Sequence, residues 1–131
     1  MNIKVKRLLA TFVDFYIILL VDTTLFGVLS ELLTFVTHGT FAYTSVFIVL
    51  AFVFYVVAIL FRDCIFKNAS VGKRIFKLQI VKTDETDLTV MDLIKRNAPA
   101  VILHPVELFL LIFDESRLGD RWAGTTVIGY E

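Results

Sequence analysis

Two aspartates, Asp14 and Asp22, sit in an apolar run that carries no Lys or Arg between Arg7 and Arg62. A carboxylate at the centre of a membrane helix costs about 2.5–3.5 kcal/mol even on insertion scales, so each needs a partner, a wet cavity or a proton. On a helix Asp22 lies about 80° round from Asp14 and about 12 Å further along, which suits two steps of a cation or proton path. The same spacing also suits structural uses, with Asp14 hydrogen-bonded to a second helix or to Arg96 and Asp22 near the outer headgroups. Arg7 points within about 20° of Asp14 but stands about 10 Å away, so the two share a face without touching. Arg7 can snorkel to the headgroups. An arginine partner for Asp14 is therefore expected from Arg96 or from a second copy's Arg7.

Other reactive residue types are easier to place in structure than in catalysis. His104, with Glu107 three residues on, could relay a proton or supply half a metal site, but His38 belongs to the opposite membrane side, and no metal is expected. Gly72-Lys73 resembles the end of a phosphate loop. Arg74 stands where that loop needs Ser or Thr and Lys67 where it needs its first glycine, so the reading is a turn whose basic residues face anionic headgroups. Cys64 has no local partner and reads as an unreactive thiol. Gly119 and Gly124 permit turns or close approach, and Asp120 can cap amides or pair with Arg74, Arg96 or Arg117. With Thr125 these make a docking clasp. No Ser/His/Asp or Cys/His arrangement is visible, so neither an enzyme nor a cofactor is expected.

The elements that must hold these residues follow from hydropathy. Of 131 residues 57% are apolar, above the roughly 45–50% of soluble domains. Residues 41–61 are 21 positions without a charge, enough at about 1.5 Å per residue to cross a hydrocarbon core of about 30 Å. The first apolar stretch runs from Leu8 to about Val28 and can continue as helix towards Val36. A cleaved leader fits it poorly, because acids interrupt it and no small-residue cleavage site follows. THGT at 37–40 then makes the turn of an antiparallel helical hairpin. Phe76, Leu78 and Ile80 alternate with Lys77, Gln79 and Val81, the period of a half-buried strand over 76–81, and 83–87 supplies turn formers. Thr89 with Asp92 resembles a capping box opening a helix. Residues 98–113 form a short apolar segment interrupted by Pro99 and Pro105, which favours a broken, re-entrant or interfacial helix. The β-prone run 125–129 needs a partner strand, and 76–81 is the natural one.

The fold class is therefore a mainly α membrane protein in one domain. A two-helix transmembrane hairpin (1–61) is followed by a cytoplasmic strand and turn (62–90), then a third broken apolar helical segment and C-terminal clasp (91–131). Three basic residues precede the first helix, none lies between the helices and eight fall from Arg62 to Arg96. The positive-inside rule then puts both termini in the cytoplasm. The 13 basic residues balance 13 acidic ones, which speaks against nucleic acid as partner. Membrane lipid, further copies of the chain and a protein at the cytoplasmic face are the expected partners.

Four motifs in order, Arg7 to Asp14 as R-x-x-A-x-x-x-D, Ser70 to Arg74 as [ST]-x-G-K-R, Arg96-Asn97, and Arg117 to Thr125 as R-L-G-D-x-x-A-G-T, resemble the RDD family of membrane proteins. The resemblance covers essentially the whole chain. It departs at Lys77, where the family commonly has glycine, and in the Pro/His-rich third segment. It implies a small integral membrane protein, in a bacterial cytoplasmic membrane, with transport or ion exchange suggested for some members. Two readings stay open: a membrane-anchored interaction or regulatory module acting as an oligomer, and a transporter or cation/proton exchanger using Asp14 and Asp22.

Overall fold

A computed structural model describes residues 1–39, 42–66, 68–113 and 118–130, with the backbone alone at 42–44, 104–108, 110 and 111. Helices α1 (Ile3–Thr37) and α2 (Ala42–Phe61) form the hairpin, and a 3-10 turn, Arg62–Cys64, leaves its end. Helix α3 (Val71–Ile75), strand β1 (Leu78–Lys82), helix α4 (Val90–Phe113), helix α5 (Leu118–Ala123) and strand β2 (Thr125–Gly129) follow. Helix α1 starts earlier than its apolar run, because Asn2 caps it by accepting from the Lys4 amide at 3.1 Å. It also runs on to Thr37, where His38 closes it in a left-handed conformation at φ 56° and donates its N–H to the Thr34 carbonyl. The hydroxyls of Thr11, Thr23, Thr34 and Thr37 each donate to the carbonyl four residues back, so they add no unmet polarity to the helix.

Packing is inverted relative to a water-soluble fold. The residues α1 buries are Arg7, Ala10, Thr11 and Asp14, a stripe at helical spacing near its start and mostly polar. Its apolar side chains are largely uncovered, as are those of α2: Val28 is 58% exposed and Phe52 65%. Both helices are long and apolar enough to cross a membrane. At some 50 Å, α1 is much longer than a hydrocarbon core of about 30 Å, which leaves its first turns for the polar end of the molecule. Among the described residues, buried polar and charged side chains, eleven of them, outnumber the eight buried apolar ones.

Those polar residues collect at the end of the hairpin where α1 begins and α2 finishes. There β1 and β2 pair antiparallel, with Leu78 opposite Gly129 and Lys82 opposite Thr125. Leu78, Ile80 and Val127 turn one face of the sheet onto Ala10 of α1 and Leu93 of α4, a small apolar core. The strand expected at 76–81 begins two residues later. Phe76 caps α3 and Lys77 takes φ 55°, so the chain turns before it extends. Thr89 and Asp92 exchange amide bonds as the capping box requires, at 3.0 and 3.3 Å, and α4 starts at the next residue.

The third apolar segment is broken, once. Helix α4 passes Pro99 with helical dihedrals and breaks at Leu103 (φ −115°, ψ 36°), two residues before Pro105. A proline at 105 has no amide to donate to the helix ladder and disfavours helical dihedrals just before it, which accounts for the break there. Beyond it Ile112 shares a cleft with Lys4, Val5 and Leu8 of α1, and Gly119 then packs on the Arg96 backbone. The segment thus begins and ends at the same end of the hairpin.

Candidate functional site

A buried polar network joins α1, the 3-10 turn, α3, α4 and α5 at that end. Asp63 stands at its middle. Lys73 of α3 pairs with its Oδ1, while Arg96 Nη1 (2.6 Å) and Asn97 Nδ2 (2.9 Å) donate to Oδ2. Arg96 also reaches Asp120 of α5, with Nε 2.5 Å from Oδ1, and Arg7 of α1 donates to Asp120 Oδ2 at 2.9 Å. The ion pairs therefore run Lys73, Asp63, Arg96, Asp120, Arg7. Adjacency of Arg96 and Asn97 has a mechanical use, since both reach Asp63 from one turn of α4. Asn97 also accepts from Arg62 Nε at 3.2 Å and donates to the Leu60 carbonyl at 3.3 Å, one of the carbonyls that the end of α2 leaves open.

Asp14 belongs to the same end but pairs with no arginine among the described residues. Its carboxylate accepts from the Ser70 hydroxyl and, at 2.7 Å, from the Gly72 amide, so both oxygens are engaged by the first turn of α3. The expected Asp14–arginine contact is corrected on this geometry: Arg96 and Arg7 both turn to Asp120 instead. Gly72 is required by approach rather than by a turn, because a Cβ there would stand 2.2 Å from the Ala10 carbonyl oxygen and 3.0 Å from Asp14. Gly119 has the same use against Arg96, at 1.7 Å from its carbonyl oxygen. Gly124 is a conformational glycine at φ 65°, and its carbonyl accepts from both the amide and the hydroxyl of Thr83 at 3.0 Å. Thr125 donates to Asp120 Oδ1 at 3.4 Å.

Two basic residues lie elsewhere than expected. Lys73 does not face headgroups, since it is buried against Asp63; Arg7 does not snorkel, since it is buried against Asp120. Asp22 is apart from the network, in a groove between α1 and α2. Arg117 and the side chains of His104 and Glu107 lie outside the described residues. Among the described residues no three His, Cys, Asp or Glu side chains gather where a metal could be held. Sequence reasoning missed Asp63 as an acceptor of two cations. The available signal was an acid directly after a charge-free helix, where basic residues from later segments must dock.

Electrostatically the network sets four basic residues, Arg7, Arg62, Lys73 and Arg96, against three acidic ones, Asp14, Asp63 and Asp120, all buried. Burial would pull the Arg96 pKa down, but the neighbouring Asp120 and Asp63 carboxylates more than offset it, and the guanidinium is held above the ordinary arginine range. Such an arrangement positions elements. Its charged side chains are engaged chiefly with one another.

The comparisons follow the same residues. No curated protein and no solved structure matches the chain. The sequence model of the RDD family matches residues 4–124, a span from the first turn of α1 through the network to Gly124. With that match over nearly its whole length, the chain belongs to the RDD family.

Proposed function

We propose that the chain is an integral membrane protein of the cytoplasmic membrane in which the α1–α2 hairpin anchors a cytoplasmic unit, and that this unit is the working part. It acts as a membrane-anchored interaction or regulatory module, as an oligomer, without catalytic chemistry of its own. The observation that carries the reading is the engagement of both Asp14 oxygens by Ser70 and Gly72. An acid so held serves the docking of α3 on α1 rather than the passage of an ion. Uncovered apolar surface on α1 and α2 supports the membrane placement, and basic residues at the network end support a cytoplasmic face there. Exposed Trp122, which follows Arg121 in the chain, and exposed Tyr130 give that face anchors of the kind a protein partner or an interfacial lipid takes.

The second reading, a transporter or cation/proton exchanger, keeps one observation in its favour: Asp22 is not part of the network. Purified chain in proteoliposomes separates the two. The module reading expects sodium and proton flux no greater than in empty vesicles, together with a dimer or larger species by mass photometry in nanodiscs. Flux abolished by Asp14→Asn in a variant that keeps its thermal stability would replace it with the transport reading.

A further inference from the structure

Between α1 and α2 lies a groove of about 320 Å³, lined by Asp22, Phe26, Gly27, Ser30, Phe47 and Ala51 among others. That volume is at the small end of the roughly 300–1,000 Å³ of small-molecule sites. Ring contacts between Phe26 and Phe54 (5.6 Å) and between Phe15 and Tyr55 (6.2 Å) flank Asp22 along the helices and set it opposite the middle of α2. Asp22 is half-buried, and its Oδ1 is covered with no hydrogen-bond partner among the described residues. The neighbouring Thr23 hydroxyl cannot serve it, being engaged by the carbonyls of Leu19 and Leu20.

Charge complementarity names the occupant. No Lys or Arg occurs between Arg7 and Arg62, so neither this hairpin nor the same hairpin of a second copy has a cation at that depth. An inorganic ion would need several oxygens, and beside Asp22 the lining offers only the Thr23 and Ser30 hydroxyls among aromatic, aliphatic and glycine walls. A cation carried on an apolar body satisfies both the carboxylate and the walls, and the rings of Phe26 and Phe47 add attraction for a positive charge. We propose that this groove binds a lipophilic monocation, a quaternary ammonium, phosphonium or protonated hydrophobic amine entering from the lipid, with Asp22 as its counter-ion. The site is separate from the cytoplasmic network, and the inference rests only on the membrane placement.

Gly27 supplies a test of shape that leaves the fold alone, since a Cβ there meets no atom within 4 Å. The full chain is placed in nanodiscs of zwitterionic lipid and titrated with radiolabelled tetraphenylphosphonium. Saturable binding above empty nanodiscs is expected. Asp22→Asn, which removes the charge, and Gly27→Leu, which fills the groove, should each weaken it about tenfold or more, while Asp22→Glu retains it. Both weakened variants should keep the thermal stability of the parent. Absence of saturable binding, or binding that neither Asp22→Asn nor Gly27→Leu alters, overturns the proposal. A Gly27→Leu variant that binds normally but loses its oligomeric state also overturns it, in favour of a second copy as occupant.

Discussion

Asp63 holds two buried cations at once, and this sets the energetic risk of the network. Replacing a buried ion pair by well-packed apolar groups is often neutral, whereas removing one partner leaves an uncompensated charge and costs about 3–5 kcal/mol. Asp63→Ala should therefore lower stability by about that amount, measured by thermal or denaturant unfolding in detergent, because Lys73 and Arg96 stay buried. Combining it with Lys73→Met should recover part of the loss; additive losses would show that Lys73 does not depend on Asp63. Lys77 makes the opposite case. Its φ of 55° is a conformation that glycine adopts freely and other residues adopt at about 1–2 kcal/mol, so Lys77→Gly should stabilise by about 1 kcal/mol. An unchanged or lower unfolding midpoint would refute this. The glycine expected there from the family resemblance thus has a conformational reason. Residue roles were less legible than residue identities. Gly72, Arg96, Gly119 and Asp120 stood out as motif letters, but which acid meets which base depends on the depth at which α3 and α5 dock on α1 and α4. No spacing within one segment contains that depth.

Elements were legible where periodicity or a charge-free run defines them. The hairpin, the capping box and the pairing of 76–81 with 125–129 all follow from local pattern plus the need of a lone strand for a partner. The edges moved for local reasons: Asn2 extends α1 backward, and the left-handed Lys77 delays β1. The strand pair carries its own prediction. Truncation after Ala123 removes Val127, whose burial alone is worth about 1.5–3 kcal/mol, and uncovers Leu78 and Ile80, both fully buried. The truncated chain should unfold at a clearly lower temperature in detergent, and an unchanged midpoint would count against the sheet as a structural element. The start of α4 offers a pH test. Hydrogen bonds from Thr89 hold the Asp92 carboxyl below its ordinary 3.8. A depressed folded value means that the stabilisation is complete above 3.8 and fades as pH falls through the lowered folded value. The stability difference between the parent and Asp92→Asn should accordingly be flat from about pH 8 to about pH 5 and shrink only below about pH 4. A difference that shrinks already near neutrality would mean that another group controls the cap.

Over the whole molecule, the inverted packing and the one-ended network together constrain orientation. The first turns of α1, the 3-10 turn, α3, both strands and α5 converge at one end of the hairpin, and His38 and Gly39 form the other. If the hairpin crosses a bilayer, residues near Lys4 and residues near Tyr130 must face the same compartment, whichever it is. The basic residues that flank the network end make the cytoplasm the expected compartment. In a Cys64→Ser background, a membrane-impermeant thiol reagent applied to intact cells should label His38→Cys and leave Tyr130→Cys untouched until the membrane is opened. Labelling of Tyr130→Cys alone from outside would invert the orientation while keeping the fold. Labelling of both from outside would show that α1 and α2 do not separate the two ends, and the uncovered apolar face would then need a protein to cover it. The first outcome is expected, because that alternative would require a partner to bury two apolar helices whose only cations stand at one end.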